Sequence, residues 1–212
     1  IIGGHDIVPP FSASCAGNPS LTSLKGLDNL YSIGGNLEVY CNDLLTSMSG
    51  LNKLTAIGGS LRIGLPIGYL SIGGGNRSLS SLRGLENVYS IGGELAILKN
   101  DVLTSLTGLD EIDPHSITNL IIHHNPSLSA CEVVSICAYL GSPGGTIEIH
   151  DNAPGCNNQV EVEEACGITS VEENSVGDAL VIAPNPAEGI VDCRLLVPAK
   201  AGIDCQRVTM TI

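Results

Sequence analysis

The chain has 212 residues, enough for one long domain or two small ones. Aromatic residues make up 3% of it, with no Trp and a single Phe, so any core must be aliphatic. The formal charge of -13 leaves nine Lys and Arg in all, which argues against nucleic acid and anionic membrane surfaces, since both need cations opposite phosphate.

Eight cysteines, an even number with no C-x-x-C pair, suit disulfides in an exported protein better than a zinc ribbon. No apolar run reaches the roughly 18 residues needed for a transmembrane helix. The chain opens on IIGG and stops at VTMTI, so it reads as part of a longer secreted chain.

In chain order, residues 2–8 resemble the tail of a degenerate repeat, and 9–17 form a loop containing Cys15. A repeat then takes over. Residues 18–40 read NPSLTSLKGLDNLYSIGGNLEVY, 42–64 read NDLLTSMSGLNKLTAIGGSLRIG, and 76–98 read NRSLSSLRGLENVYSIGGELAIL. Two looser copies open at Asn100 and Asn125. The opening asparagines are Asn18, Asn42, Asn76, Asn100, Asn125 and Asn152, a spacing that points to a stacked solenoid. An insertion at 65–75 (LPIGYLSIGGG) lengthens one coil and suggests a loop on one face.

Within the coil at 76–98, Leu79, Leu82, Leu85, Val88 and Ile91 are expected to face inward. Leu95 and Ile97 then alternate with Glu94, Ala96 and Leu98 at the period of a strand. Successive strands should pair in parallel, because each coil enters the sheet in the same direction. The Gly-Gly pair is expected to turn the corner with a positive φ. The opening Asn is expected to turn inward and bond backbone groups of neighbouring coils.

The recurring L-x-x-I-G-G-x-L-x-I signature over residues 18–166 resembles the receptor L-domain branch of leucine-rich-repeat proteins. The resemblance implies a right-handed β-solenoid with one regular parallel sheet and a ligand-binding, non-enzymatic role. The L-domain-like unit then spans 1–167, and its C-terminal cap spans about 131–166. The cap holds Cys131, Cys137, Cys156 and Cys166. We favour Cys131–Cys156 and Cys137–Cys166 among three possible connectivities. Val133, Val134 and Ile136 are expected to pack inward from a short helix, and Cys15 with Cys41 to staple the first coils.

Residues 168–178 form an acidic linker. After it, Pro184, Asn185, Pro186, Ala187 and Gly189 lie between two apolar stretches. This block resembles the start of the C-terminal sorting domain of the type IX secretion system of Bacteroidetes. The resemblance implies that 179–212 begin a small immunoglobulin-like β-sandwich, here truncated, and that the secretion machinery is a partner. It places the protein outside the cell or on its surface. Ala183 stands where that family usually has an aromatic residue.

Outward strand positions are the candidate contact residues: Glu38, Tyr40, Arg62, Ala96, Leu98, Ile121, His123, Glu148 and His150. Glu38 should pair with Arg62 on the next strand. His123 and His150 should lie side by side with Glu148 near. Two such imidazoles can bind a metal or titrate together. No third ligand is forced by the spacing, so two solvated histidines are the plain reading, and no metal or cofactor is expected. No nucleophile–base set can be assembled. The sequence therefore points to a recognition module for a protein or glycan, or alternatively to a targeting or spacer region of a larger secreted enzyme.

The sorting resemblance is directly testable. Deleting 177–212 should trap the protein in the periplasm of its host. Unchanged export, followed by fractionation and immunoblotting, would exclude it.

Overall fold

The computed structural model of the chain describes residues 17–18, 20–64 and 74–168. The expected N-terminal remnant, most of the 65–75 insertion, the acidic linker and the sorting-domain residues lie outside them.

The described residues form a β-solenoid of about four turns. Each coil contributes one inward-facing strand to a five-stranded parallel sheet. Its strands are β2 (Leu37–Val39), β4 (Leu61–Ile63), β6 (Leu95–Leu98), β7 (Leu120–His123) and β8 (Ile147–His150), and they pair in that order. The register is regular: Leu37, Leu61, Leu95, Leu120 and Ile147 form one row, and Val39, Ile63, Ile97, Ile122 and Ile149 the next. Leu79, Leu82, Leu85, Val88, Ile91, Leu95 and Ile97 are all buried, so one coil supplies a complete slice of core.

One parallel sheet was expected, and there are two. The two residues before each Gly-Gly pair form β1 (Ser32–Ile33), β3 (Ala56–Ile57) and β5 (Ser90–Ile91), a second parallel sheet of three short strands. It ends at the fourth coil for a chemical reason. That coil carries Asp113-Pro114-His115-Ser116, and Pro114 has no N–H to give to a ladder. A 3-10 turn at Pro114–Ser116 takes its place, capped by Asp113, whose Oδ1 accepts the His115 N–H at 3.0 Å.

The Gly-Gly pairs do not have the positive φ expected of them. In the pairs Gly58-Gly59 and Gly92-Gly93 the glycine is demanded by the neighbouring coil. A Cβ on Gly92 would collide with the carbonyl oxygen of Gly58, and one on Gly59 with Oδ1 of Asn36. Positive φ belongs instead to the glycine of S-x-x-G-L, as at Gly84 (φ 114°), where a Cβ would also strike the Met48 carbonyl.

The opening asparagines run along the inside of the turn that leaves the sheet. Asn42, Asn76, Asn100 and Asn125 are fully buried. Each amide nitrogen donates to a strand-end carbonyl of the preceding coil: Asn76 to Val39, Asn100 to Ile63, Asn125 to Ile97 and Asn152 to Ile122, at 2.9–3.0 Å. The Oδ1 of Asn76, Asn125 and Asn152 accepts the backbone N–H of the preceding coil's asparagine, as from Asn100 to Asn125 at 2.9 Å and from Asn125 to Asn152 at 3.1 Å, while Asn100 Oδ1 accepts from the Asn76 side-chain amide at 3.0 Å. The ladder thus satisfies backbone groups that the strands leave unpaired as they end.

The C-terminal cap closes the stack with α1 (Val134–Gly141), β8 and α2 (Gln159–Ala165). Disulfides join Cys131 to Cys156 and Cys137 to Cys166, the connectivity favoured from the sequence. Cys41 is disulfide-bonded too, while Cys15 lies outside the described residues. Val134 does not pack inward; it is 70% exposed. The buried face of α1 is Ile136, Tyr139 and Leu140, spaced i, i+3 and i+4, and Val134 precedes Ile136 by two positions, which turns it to the opposite side. Tyr139 reaches back to the last full coil. Its hydroxyl donates to the Thr118 carbonyl and accepts the Gly145 N–H.

Two substitutions separate these constraints. Asn100→Ala should cost about 2–3 kcal/mol in denaturant unfolding, because it strands buried backbone groups in two coils. Gly92→Ala should lower the unfolding midpoint clearly. Gly34→Ala, with nothing within 4 Å of its Cβ, should stay within about 0.5 kcal/mol of the parent.

Candidate binding face

The outer face of the five-stranded sheet has three rows. The first, where the strands begin, maintains the fold. Asn36 Oδ1 accepts the Ser60 N–H at 2.9 Å, Ser60 Oγ accepts the Glu94 N–H at 3.1 Å, and Asn119 Oδ1 accepts the Thr146 N–H at 2.9 Å.

The second row carries Glu38, Arg62, Ala96, Ile121 and Glu148 in register. Arg62 Nη1 donates to Glu38 Oε1 at 2.9 Å, the expected pair, and its Nε donates to Glu94 Oε1 at 2.9 Å, which the sequence reading missed. The second contact runs diagonally, from one strand to the start of the next. Burial works against the Arg62 charge, but hydrogen bonds to Glu94 and Glu38 outweigh it and hold its pKa above the ordinary arginine value. The guanidinium is therefore fixed between two carboxylates.

Four of the expected contact residues are covered. Ala96 and Leu98 are 0% exposed, Tyr40 is 5% exposed and His123 is 6% exposed. Alternation along a strand gives the side a residue points to and says nothing of what overtops it. The Ala96 methyl lies between the longer side chains of Arg62 and Ile121. Burial, then the Glu38 charge, raises the Tyr40 pKa. Glu38, Arg62 and Ile121 remain half-buried, and Glu148 and His150 are exposed.

The third row ends in a histidine cluster. His123 and His150 are register partners, and their rings stack with centroids 4.6 Å apart at 15°. Two residues absent from the sequence reading, His124 and Asp151, join them from the turn just past each strand. That turn has a left-handed backbone at Cys41, Lys99, His124 and Asp151 (φ 54–58°), each immediately before a ladder asparagine. Equivalent turns in successive coils set His124 beside Asp151. His124 Nδ1 lies 2.9 Å from His123 Nδ1, and its Nε2 lies 3.6 Å from Asp151 Oδ2. His150 Nδ1 lies 2.9 Å from the same carboxylate oxygen. The position before the ladder asparagine was the signal in the sequence that could have found both residues.

Burial first, then the His150 and His124 charges, push the His123 pKa down to about 4. The hydrogen bond from His150 and then the His124 charge, against an opposing effect of burial, hold the Asp151 carboxyl below its usual range. Among the described residues, two donor sets can approach a cation: His123 with Glu148 and His150, and His124 with His150 and Asp151. In each set the donor atoms lie within 4.8 Å of one another. The second set borders an open groove of about 370 Å³ lined by Arg77, Lys99, Asp101 and Pro126.

No protein-family model, curated protein or solved structure matches the chain.

Arg62→Met should cost about 0.5–1 kcal/mol in urea unfolding, with the difference shrinking in about 1 M NaCl. His123 should add an acid-sensitive component. Its folded pKa lies below the unfolded value of about 6.5, so the unfolded chain binds more protons between about pH 4 and 6.5. The contribution is fully present above that window and lost as pH falls through it. The difference between parent and His123→Leu, measured in chelator-containing buffer, should show this slope. A pH-independent difference would exclude it.

Proposed function

We propose that the chain is a non-catalytic recognition module, a right-handed L-domain-like leucine-rich-repeat solenoid that binds a protein or glycan partner outside the cell. The observation that carries this reading is the fixed Glu38–Arg62–Glu94 set on the outer sheet face. Its side chains contribute nothing to the aliphatic core, they differ from coil to coil, and mutual hydrogen bonding holds them in one geometry. Such pre-ordering lowers the entropy lost when a partner binds. Glu38, Glu94 and Glu148 outnumber Arg62 on this face, which favours a partner offering cations or neutral hydroxyls over a sulfated or sialylated glycan.

Export to an oxidising compartment fits the two cap disulfides. In this reading the type IX secretion machinery recognises residues 179–212, with Pro184, Asn185, Pro186, Ala187 and Gly189 in its motif.

Glycan and extracellular-protein arrays probed with the whole chain test the proposal. The expected result is a defined set of binders lost in the Glu38→Gln/Arg62→Gln/Glu94→Gln variant, with circular dichroism unchanged. Silence across both arrays, or binding indifferent to the triple variant, would overturn it.

A further inference from the structure

We propose that His124, His150 and Asp151 form a binding site for a divalent transition metal of the zinc and copper(II) class, with His123 as the positioning residue for His124. The site is independent of the recognition reading above. It is built from two dipeptides one coil apart, His123-His124 and His150-Asp151, which the parallel register places side by side. The left-handed turns at His124 and Asp151 carry both second residues past the sheet edge in the same way. Convergence of the donors is thus a product of the fold and does not rest on one chance rotamer.

The distances suit coordination. Ligands of a tetrahedral zinc with bonds of about 2.0–2.1 Å stand about 3.4 Å apart. His124 Nε2 and Asp151 Oδ2 are 3.6 Å apart, and His150 Nδ1 is 2.9 Å from that same oxygen. All three donors lie within 4.8 Å of one another, so closure needs only small side-chain rotations, with the His150–Asp151 hydrogen bond exchanged for metal bonds. Asp151 and His150 are exposed and His124 is half-exposed, so an ion has an entry path and water can complete the coordination.

The other ring nitrogen of His124 is already engaged. A metal on Nε2 requires the proton on Nδ1, and Nδ1 lies 2.9 Å from His123 Nδ1. His123, buried and stacked on His150, then accepts that hydrogen bond in its Nε2–H tautomer. A ligating histidine usually has such a partner on its second nitrogen, which fixes the tautomer and ring plane. The donor chemistry selects the ion. Two imidazoles with one carboxylate suit zinc, copper or nickel, whereas calcium needs six to eight oxygens and magnesium an oxygen-rich octahedron.

The test uses the full chain, stripped with a chelator and treated with iodoacetamide to block any free thiol. Zinc is titrated by calorimetry, and cobalt(II) by its visible absorption as a geometry probe. One equivalent should bind, with millimolar calcium or magnesium failing to compete. His124→Ala and His150→Ala should each weaken binding at least tenfold, and Asp151→Asn by a comparable factor. His115→Ala, on the distant 3-10 turn, should change nothing. His123→Leu should weaken zinc binding about tenfold and alter the cobalt spectrum. His123→Gln, which keeps an acceptor for the His124 N–H, should recover most of both. Binding that survives in His124→Ala/His150→Ala, is lost in His115→Ala, or is displaced equally by calcium would overturn the proposal. So would no measurable binding by the parent chain. The double variant changes only surface-accessible side chains, so the test stands even if His123→Leu fails to fold.

Discussion

The amide of the repeat-opening asparagine bonds two coils at once, and the stacking of the solenoid depends on it. Strand ladders hold the coils together where the chain is extended, but each coil must then leave the sheet and turn. At that point the backbone loses its sheet partners while remaining buried. Asn76, Asn100, Asn125 and Asn152 fill the gap, each donating to a strand-end carbonyl one coil back. An aliphatic residue there would fill the space and leave those carbonyls unpaired, at a cost that grows with burial. Fixing the turn also fixes the strand register. The register then decides what stands next to what on the outer face.

The same close stacking explains the abundance of glycine. Coils separated by a strand spacing leave no room for a side chain where backbone crosses over backbone, and Gly58, Gly59, Gly92 and Gly93 occupy those crossings. The cap solves a different problem. The last coil would expose its aliphatic layer, and α1 covers it with Ile136, Tyr139 and Leu140. Two disulfides tie α1, α2 and the preceding coil together, and chain-entropy arguments assign such links a few kcal/mol each.

The core was legible in the sequence because its signal repeats. Leu79, Leu82, Leu85, Leu95 and Ile97 recur at equivalent places in each coil, and a pattern that survives several copies leaves few alternatives. Features that depend on the neighbouring coil were harder to read. The Gly-Gly pairs suggested backbone freedom, and the true reason is a contact with a residue about one period away. Ala96 and Leu98 were assigned to the right side of the strand but not to the right depth, because depth depends on the lengths of the flanking side chains. Val134 was misassigned because three apolar residues in a short helix do not state which face they share. His124 and Asp151 lie one residue beyond the strands, where alternation no longer applies. Their pairing became visible only once the turn was known to repeat with the same left-handed backbone.

That repeating turn bears on how such a chain can acquire new sites. Every coil places the residue before its asparagine at one angular position, so these residues form a column running along the stack. A substitution in one coil stands alone, but copying that coil in tandem puts the new side chain directly beside its duplicate. A single histidine or aspartate can thus become a pair of converging donors by duplication, with no change to the core. In this architecture an insertion of one whole repeat is also an act of site construction.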